Sequence, residues 1–298
     1  MIKVIGIDLD GTTIKKDGSI GELTKEAIKE AIDSGIEVCV CTGRSLNAIP
    51  DVIRELKEVK YVATSNGARI TNINTNETVY ENYLNPSAVD YILDLAIKEN
   101  LMLEVFMDNQ AYIDERLYKE IEKNGSKYRS RRYVLISRKP IKDIIKFARD
   151  NKEKIENINI FFTDLKRLEE IKPLVNKTKK ATITQSFPNN IEVGGENTSK
   201  KTALSFLIDK LGARQEELMC LGDALNDMAM IKFAGIGIAM GNAWDELKEV
   251  ADYVTDDNNN DGVGKAIYKF ALNNKKIENP INIFRKIFPT ENSKIKNF

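Results

Sequence analysis

The chain has 298 residues, a length that favours one large domain or two unequal ones. Lys plus Arg (45) equals Asp plus Glu (45), so the overall charge gives no attraction to nucleic acid or to an anionic membrane. The sequence contains no histidine, which excludes Ser-His-Asp triads and histidine-ligated zinc sites. Any catalysis must therefore depend on carboxylates, hydroxyls, lysine and arginine.

The three cysteines, Cys39, Cys41 and Cys220, lie in apolar runs that are typical of buried strands. An odd number of cysteines argues against a disulfide framework, and Cys39 and Cys41 lack a second pair or a histidine to complete a metal site. The N-terminal apolar run reaches Asp8 too early for a signal peptide, and no run of about 18 apolar residues occurs. We therefore expect a cytoplasmic protein that does not insert into a membrane.

The start of the chain alternates short apolar runs with helix-period segments, as in a parallel sheet with crossover helices. Strands are predicted at residues 4–7, 36–41 and 61–64, and helices at residues 23–34 and 46–59. The first helix is expected to begin with Thr24 as its N-cap and to end at Gly35. The turn signal Lys16-Asp17-Gly18 predicts a small flap before that helix. The order of these elements is βαβαβ.

The pattern changes between about residues 83 and 190. Helices are predicted there at residues 87–99 and 141–152, and β-rich runs at residues 103–113 and 157–163. Beyond this insertion the first pattern resumes, with helices at residues 199–211 and 227–233 and strands at residues 218–221, 236–239 and 253–254. The expected fold class is α/β, with a Rossmann-like parallel sheet core of residues 1–82 and 191–272 and an inserted α+β domain of residues 83–190. Residues 273–298 are expected to form a loose C-terminal tail or a docked amphipathic helix.

Basic residues are concentrated inside the insertion. Between residues 119 and 152 there are twelve Lys or Arg against four Asp or Glu. Arg129, Arg131 and Arg132 allow two interpretations, a phosphate- or RNA-binding patch and a solvated basic face, and the second is the commoner origin of such a run. We therefore expect no nucleic-acid partner, and a basic patch here would draw anionic substrates toward a cleft.

Polar residues follow the predicted strands of the core, at the sheet edge where ligands bind in open α/β folds. These residues are Asp8 and Asp10 after the first strand, Thr42, Gly43 and Arg44 after the second, Asn66 after the third, and Asp223, Asn226 and Asp227 after the strand at 218–221. Four carboxylates this close together cannot all stay ionised without a cation. Because every candidate ligand is an oxygen, a hard ion is required, and Mg²⁺ fits best. The Thr42-Gly43-Arg44 sequence can seat an anion through its hydroxyl and backbone N–H groups.

These residues resemble the signature motifs of haloacid dehalogenase superfamily phosphohydrolases. The matching segments are Asp8-x-Asp10-Gly11-Thr12, Thr42-Gly43-Arg44, Lys200 before a helix, and Gly222-Asp223-x-x-Asn226-Asp227. The place of the insertion, with Asn66-Gly67-Ala68 and the segment from residue 239 to residue 262, is similar to the Cof-type branch. Members of that branch are mostly sugar-phosphate phosphatases with a type IIB (C2B) cap, so the insertion is called the cap below.

The resemblance implies a role for each motif residue. Asp8 would be the nucleophile that forms an aspartyl phosphate, and Asp10 would protonate the leaving oxygen and then activate water. The implied Mg²⁺ ligands are Asp8, Asp10 through its carbonyl, Asp223 and Asp227. The implied phosphate-binding residues are Thr42, Gly43, Lys200 and Asn226. Arg44, Asn66 and Asn190 are candidate contacts to the substrate, a small-molecule phosphate ester.

Two positions depart from the family pattern. The third motif reads Ser199-Lys200-Lys201 where this branch usually has Lys-Gly, so Lys201 stays an alternative to Lys200, although the sequence that follows keeps the register of Lys200. Thr13 replaces the usual leucine, a change expected to affect the fold more than the chemistry.

Three functions are compatible with these motifs. The first is a Mg²⁺-dependent phosphatase acting on small phosphorylated metabolites, chiefly sugar phosphates. The second is a phosphomutase, because phosphomannomutases resemble this branch in cap class and motifs. The third is a non-catalytic phosphate-responsive module like a response-regulator receiver, but receivers lack a large insertion and an acid two residues after the phosphorylated aspartate. No motif identifies the metabolite or the oligomeric state.

Overall fold

The structure is a computed structural model, and it describes residues 1–56, 58–126 and 129–272. The predicted tail or docked helix at residues 273–298 lies outside these residues. Within the described chain, no helix combines the length and the apolar character that crossing a membrane requires.

The strands of the core form one twisted sheet. In chain order the strands of the protein are β1 (Val4–Asp8), β2 (Glu37–Cys41), β3 (Tyr61–Thr64), β4 (Arg69–Asn72), β5 (Glu77–Glu81), β6 (Met102–Met107), β7 (Gln110–Asp114), β8 (Arg138–Ile141), β9 (Ile155–Phe161), β10 (Ala181–Thr184), β11 (Asn190–Gly195), β12 (Leu218–Gly222), β13 (Ile236–Ala239) and β14 (Tyr253–Val254). The core sheet has the order β14-β13-β12-β1-β2-β3-β4-β5. The strands from β14 to β3 are parallel, and β4 and β5 continue the sheet antiparallel. This arrangement confirms the predicted α/β core.

Helices cover the sheets. They are α1 (Glu22–Asp33), α2 (Asp51–Arg54), α3 (Pro86–Glu99), α4 (Glu115–Asn124), α5 (Arg131–Ser137), α6 (Ile144–Asp150), α7 (Leu165–Val175), α8 (Lys200–Lys210), α9 (Met228–Phe233), α10 (Asp245–Val250) and α11 (Gly262–Ala266). Every residue of β1 and β12 is buried, as expected for central parallel strands covered on both faces. The apolar face of α1, with Ala27, Ile28 and Ala31, packs into the same core. The core thus holds the ends of β1 and β12 side by side.

The cap has a sheet and a hydrophobic core of its own. Its strands follow the order β10-β11-β9-β6-β7-β8 and are antiparallel, except that β7 and β8 run parallel. Residues of α3, α6 and α7 pack with residues of β6 and β9 in one buried cluster, which is separate from the core cluster. The helix predicted at residues 141–152 is limited to Ile144–Asp150, because the chain up to Ile141 belongs to β8.

The second sheet extends beyond the predicted end of the cap. Strand β11 pairs with β9 and β10, so the sheet continues to Gly195, past residue 190. At the other end, β5 stops at Glu81, and the backbone N–H of Leu84 already donates to the carbonyl of Ile155 at 2.8 Å. The apolar residues of β11 would suit a buried strand in either sheet. The sequence pattern alone therefore does not show to which domain this strand belongs.

The helix predicted at residues 46–59 is wrong. The chain forms a 3₁₀ turn at Leu46–Ala48 and then the short α2. Pro50, the N-cap of α2, separates them, because proline has no N–H and clashes with a preceding helical turn.

The N-cap of α1 is Gly21 rather than the predicted Thr24. Thr24 lies in the first turn, where its backbone N–H and its hydroxyl both donate to Asp261, at 3.2 and 2.8 Å. A carboxylate from 237 positions along the chain thus satisfies a free N–H of this helix. The predicted helix end is confirmed, because Gly35 follows the helix with a φ of +87°.

Candidate active site

Asp8 lies at the carboxyl end of β1 and is 6% exposed. The hydroxyl of Thr13 donates to the backbone carbonyl of Asp8 at 2.5 Å, so Thr13 shapes the loop after the strand. Gly11 in that loop has a φ of +85°, and a Cβ there would lie 2.3 Å from a carboxylate oxygen of Asp223. The absence of a side chain at Gly11 lets the ends of β1 and β12 approach each other.

Lys200 joins the carboxyl ends of two adjacent strands, β1 and β12. Its Nζ donates to Oδ1 of Asp8 at 2.5 Å and to Oδ1 of Asp227 at 2.6 Å, and the residue is 1% exposed. Lys200 opens α8, whose N-cap Ser199 accepts from the backbone N–H of Thr202 at 3.1 Å. The Nζ of Lys201 instead lies 4.8 Å from the centre of the Phe233 ring. Of the two candidate lysines, the structure places Lys200 in the site.

The loop after β12 supplies two further carboxylates. Oδ2 of Asp227 accepts from the backbone N–H groups of Asp223 and Ala224, at 2.9 and 3.0 Å, which fixes the turn. Oδ1 of Asp223 accepts from the hydroxyl of Thr12 at 2.9 Å, which ties this loop to the one after β1. Asp227 is fully buried, whereas Asp223 is partly exposed.

Three of these carboxylates form a group suited to a metal ion. One oxygen from each of Asp8, Asp223 and Asp227 lies within 4.8 Å of the others. The donor set consists of oxygen alone, which suits Mg²⁺ rather than a softer transition metal. The carboxylate of Asp10 is bound by Arg44, and the role implied for Asp10 as a metal ligand involves its backbone carbonyl instead.

The electrostatics of the group also favour a cation. Burial, followed by repulsion from Asp227, raises the pKa of Asp223 to about 7. Burial raises the pKa of Asp8 well above its usual value, and repulsion from Asp227 and Asp223 adds to this effect, although Lys200 opposes it. Burial would lower the pKa of Lys200, but the charges of Asp227 and Asp8 raise it. Additional positive charge at this point would stabilise the ionised carboxylates.

Asp10 forms a bidentate ion pair with Arg44. Nε and Nη2 of Arg44 donate to its two carboxylate oxygens at 2.7 and 2.6 Å. Arg44 is itself fixed, because it donates to the carbonyl of Ala48 at 2.8 Å and its guanidinium lies 4.9 Å from the centre of the Tyr133 ring. Burial acts to raise the pKa of Asp10, but the hydrogen bonds and charge of Arg44 lower it below the usual value. The ionised form of Asp10 is therefore favoured.

The loop after β2 is called the phosphate seat, because it contains the predicted phosphate-binding residues Thr42 and Gly43. Thr42 is 1% exposed, and its carbonyl accepts from the backbone N–H of Asn66 at 3.0 Å. The backbone N–H of Ser65 donates to the carbonyl of Arg44 at 2.9 Å. Ser65 and Asn66 have φ values of 51° and 58°, a left-handed conformation that non-glycine residues adopt at a cost. The turn at Ser65 and Asn66 thus supports the Thr42-Gly43-Arg44 loop through two backbone hydrogen bonds.

A cavity of about 330 Å³ opens over these loops, between the core and the cap. Its lining residues are Asp8, Asp10, Gly11, Thr42, Gly43, Arg44, Asp223, Ala224, Asn226 and Trp244 from the core and Arg129, Ser186, Phe187, Pro188 and Glu192 from the cap. The carboxylates form its floor, and the cap residues form its opposite wall. A small molecule can thus lie against Asp8 and the cap at the same time.

A model of the haloacid dehalogenase-like hydrolase family matches residues 5–267, most of the described chain. The chain belongs to the haloacid dehalogenase-like hydrolase family. The predicted resemblance, including its Cof-type branch, is thereby confirmed.

Curated relatives of this hydrolase are named as phosphatases. This chain is 35% identical over 271 residues to the 5-amino-6-(5-phospho-D-ribitylamino)uracil phosphatase YcsE of Bacillus subtilis. The alignment covers 91% of this chain and 96% of the relative. The chain is 30% identical over 284 residues to YwtE, a phosphatase of the same name from that organism, over 88% of this chain and 96% of the relative. A solved haloacid dehalogenase-like hydrolase from B. subtilis has a TM-score of 0.79 and 26% identity over 90% of this chain and all of that one. The hydrolase is accordingly a phosphoric monoester hydrolase.

The three amide residues predicted for this hydrolase have different positions. Asn226 lines the cavity, and its side chain donates to Oδ1 of Asn66 at 3.0 Å. Asn66 in turn donates to Oε2 of Glu192 at 3.0 Å. Asn190 holds the cap loop, because its side-chain oxygen accepts from the backbone N–H of Phe187 at 2.9 Å. Among the described residues, neither Asn66 nor Asn190 lines the cavity, and their role as substrate contacts stays a prediction.

The cap docks on the core beside the phosphate seat. Glu156 of the cap is fully buried and accepts from the hydroxyl of Ser65 at 2.7 Å and from Nε of Arg69 at 2.9 Å. Together with the bond from Asn66 to Glu192, these contacts join the cap to the left-handed turn that supports Thr42. The position of the cap and the shape of the phosphate seat are therefore linked.

Sequence reasoning missed the cap side of the site. Glu192 and Phe187 line the cavity, yet no motif marks them. Arg129 belongs to the basic stretch and faces the cavity, whereas Arg132 is exposed. Some basic residues of this stretch thus lie in the site and others lie on the surface. Only the way the cap packs on the core shows which residues belong to which group.

Replacing Lys200 by methionine should remove the shared counter-charge of Asp8 and Asp227. We expect phosphate release to fall by about 10²-fold or more. We also expect the free energy of unfolding to fall by about 3–5 kcal/mol without added metal, because two buried carboxylates lose their partner. Steady-state kinetics and urea titration measure both effects. Lys201→Met is the matched control, and an equal loss in that variant would contradict the assignment to Lys200.

Proposed function

We propose that this phosphatase hydrolyses small phosphorylated metabolites in two steps, with Mg²⁺ and with an aspartyl phosphate at Asp8. The observation that supports this most strongly is the placement of Asp8. One of its oxygens is held by Lys200, and it belongs to a group of three carboxylates of which two, Asp8 and Asp223, line the cavity. Lys200 fixes the carboxylate and opposes the burial that raises its pKa, which favours the ionised form that an attacking oxygen requires.

In the first step, a carboxylate oxygen of Asp8 bonds to the phosphorus while the ester oxygen leaves with its electron pair and takes a proton from Asp10. In the second step, Asp10 removes a proton from water as the water oxygen bonds to phosphorus. The bond from phosphorus to Asp8 breaks, which releases inorganic phosphate and restores Asp8. Thr42, the Gly43 N–H and Lys200 bind the phosphoryl oxygens, since they lie beside Asp8 at the same end of the sheet.

Asp8, Asp223 and Asp227 would hold the metal ion, with the Asp10 carbonyl as the further ligand that the resemblance implies. Bound Mg²⁺ would supply the positive charge that offsets repulsion between the Asp8 carboxylate and the dianionic phosphate. The close group of oxygens and the raised pKa values of Asp8 and Asp223 support this requirement.

Arg44 sets the protonation state of Asp10. While its guanidinium holds both carboxylate oxygens, Asp10 is ionised and suited to act as a base. To act as an acid in the first step, Asp10 must lose that partner and take up a proton. A phosphate dianion entering the cavity offers Arg44 a competing anion, which Arg groups bind in the same two-pronged manner. We infer that substrate binding releases Asp10 for proton transfer.

The substrate class follows from the cavity and from the relatives. A cavity of about 330 Å³ suits a small metabolite rather than a phosphoprotein. Two relatives are named for 5-amino-6-(5-phospho-D-ribitylamino)uracil, a phosphorylated sugar alcohol that carries a ring. We therefore propose phosphorylated sugars and sugar alcohols as substrates, and this uracil compound as the first to test. The relatives' names favour hydrolysis over phosphomutase activity.

Removal of divalent metal should abolish hydrolysis. We expect EDTA to stop phosphate release from p-nitrophenyl phosphate and from a panel of sugar and sugar-alcohol phosphates. Added Mg²⁺ should restore it, whereas Ca²⁺ should restore less because its coordination shell is larger and looser. Phosphate release is measured before and after chelation, with heat-treated enzyme as the blank. Full activity in EDTA would contradict the metal requirement, and an inactive panel would contradict the substrate class.

A further inference from the structure

Arg129 lines the cavity on the side of the cap, and its charge acts on Asp10. Its guanidinium carbon lies 4.7 Å from the ring centre of Phe187, 5.0 Å from that of Phe161 and 5.2 Å from that of Tyr133. Contact with aromatic faces holds a guanidinium in a defined plane. The group is therefore fixed in orientation, although it lies between two domains.

Nε of Arg129 is buried and has no hydrogen-bond partner within residues 1–56, 58–126 and 129–272. A buried donor that no acceptor satisfies destabilises a protein, so an acceptor is expected from a bound molecule. Arg129 lines the cavity, so part of its side chain borders the space that a bound molecule can occupy. This donor is not used by any step described above.

Phe187 lines the same side of the cavity as Arg129. Although it is a large apolar residue, it is 39% exposed, and it lines the cavity beside Pro188. Its loop is held in place by Asn190, which accepts from the backbone N–H of Phe187. An exposed aromatic ring on a fixed loop offers a flat apolar surface to a planar group.

Glu192 determines what kind of acceptor fits. It is 2% exposed, and its charge lies close enough to Arg129 for the two to attract each other. The net positive charge of this wall is thereby reduced, which disfavours a second phosphate group. A neutral carbonyl oxygen can accept a hydrogen bond from Arg129, and it does not require a net positive charge around it.

We propose that Arg129 and Phe187 form a specificity subsite for a planar, carbonyl-bearing ring on the leaving group of the substrate. The inference rests on the proposed function, since it assigns the far end of the same substrate. Arg129 donates to a ring carbonyl, and Phe187 packs against the ring face. Esters without a ring react at Asp8 without using this subsite.

The test compares two substrates that differ in the ring, 5-amino-6-(5-phospho-D-ribitylamino)uracil and ribitol 5-phosphate. Arg129→Met keeps an apolar stem between the aromatic rings and removes the donors. We expect kcat/KM for the uracil compound to fall by about 10- to 100-fold, mainly through KM, as for loss of a hydrogen bond to a charged donor. The value for ribitol 5-phosphate should fall by a smaller factor, because the charge that Arg129 exerts on Asp10 is lost for both substrates but the contact to the ring is lost for one alone. Arg132→Met is the matched control, because it removes the same charge from an exposed position.

Phe187→Leu provides a second variant, and it should reduce the same ratio of kcat/KM values. The subsite would be overturned by equal losses on both substrates or by no loss on the uracil compound. It would also be overturned if the wild-type enzyme did not hydrolyse the uracil compound. Turnover of p-nitrophenyl phosphate by the wild type separates the two proposals. Mg²⁺-dependent turnover with no effect of Arg129→Met rejects the subsite alone, whereas absence of turnover on every ester rejects the proposed function as well.

Discussion

Replacing Asp8 by asparagine should lower phosphate release from every substrate by roughly 10⁴-fold or more, as expected when a nucleophile is removed. The amide has nearly the same shape as the carboxylate but cannot attack phosphorus. The loss should be severe for both p-nitrophenyl phosphate and an alkyl sugar phosphate, because every ester must transfer its phosphoryl group to Asp8 whatever its leaving group. Steady-state kinetics on both substrates measure the effect.

Two controls make the Asp8→Asn result specific. Asp209→Asn changes an exposed carboxylate on α8 and should retain wild-type activity. Circular dichroism should show that Asp8→Asn is folded, since Lys200 keeps its contact with Asp227. If folded Asp8→Asn retained more than a small fraction of wild-type turnover, Asp8 could not be the nucleophile.

Replacing Asp10 by asparagine should have an effect that depends on the leaving group. General acid or base catalysis contributes about 10²- to 10⁴-fold, so hydrolysis of an alkyl sugar phosphate should fall by that factor. Nitrophenolate leaves without a proton, so the first step with p-nitrophenyl phosphate should survive better. Hydrolysis of the aspartyl phosphate still lacks its base. Stopped-flow absorbance should show a burst of nitrophenol no larger than the enzyme concentration, followed by slow turnover.

Asp10→Glu is the informative companion to Asp10→Asn. It keeps the titratable group but alters its reach to Arg44, and it should recover part of the activity on the alkyl substrate. Wild-type turnover by Asp10→Asn, without a burst, would show that Asp10 does not transfer protons in this enzyme.

The floor of the site was predictable from the sequence for a geometric reason. Asp8, Thr42 and Asp223 each follow an apolar run, and parallel strands bring their carboxyl ends to one edge. Their spacing along the chain therefore becomes proximity without any knowledge of side-chain packing. Lys200 was harder to assign, because two adjacent lysines open the same helix and only the structure shows which one reaches Asp8.

The wall of the site was not predictable, because it depends on how the cap lies on the core. The contact between Asn66 and Glu192 joins residues 126 positions apart, and that between Ser65 and Glu156 joins residues 91 positions apart. No local pattern encodes such pairs. The interrupted helix before β3 is different, since Pro50 gave a local signal that the periodicity of the apolar residues outweighed.

The phosphoryl group is expected to pass through Asp8, and it can be located there during the burst of the Asp10→Asn enzyme. The reaction is quenched in acid and treated with borohydride, which reduces an aspartyl phosphate to homoserine, and the digested protein is analysed by mass spectrometry. We predict homoserine at position 8, in an amount that matches the nitrophenol burst, and none when Asp8 is also replaced by asparagine. An unmodified Asp8 at the height of the burst, or modification at another residue, would contradict the account.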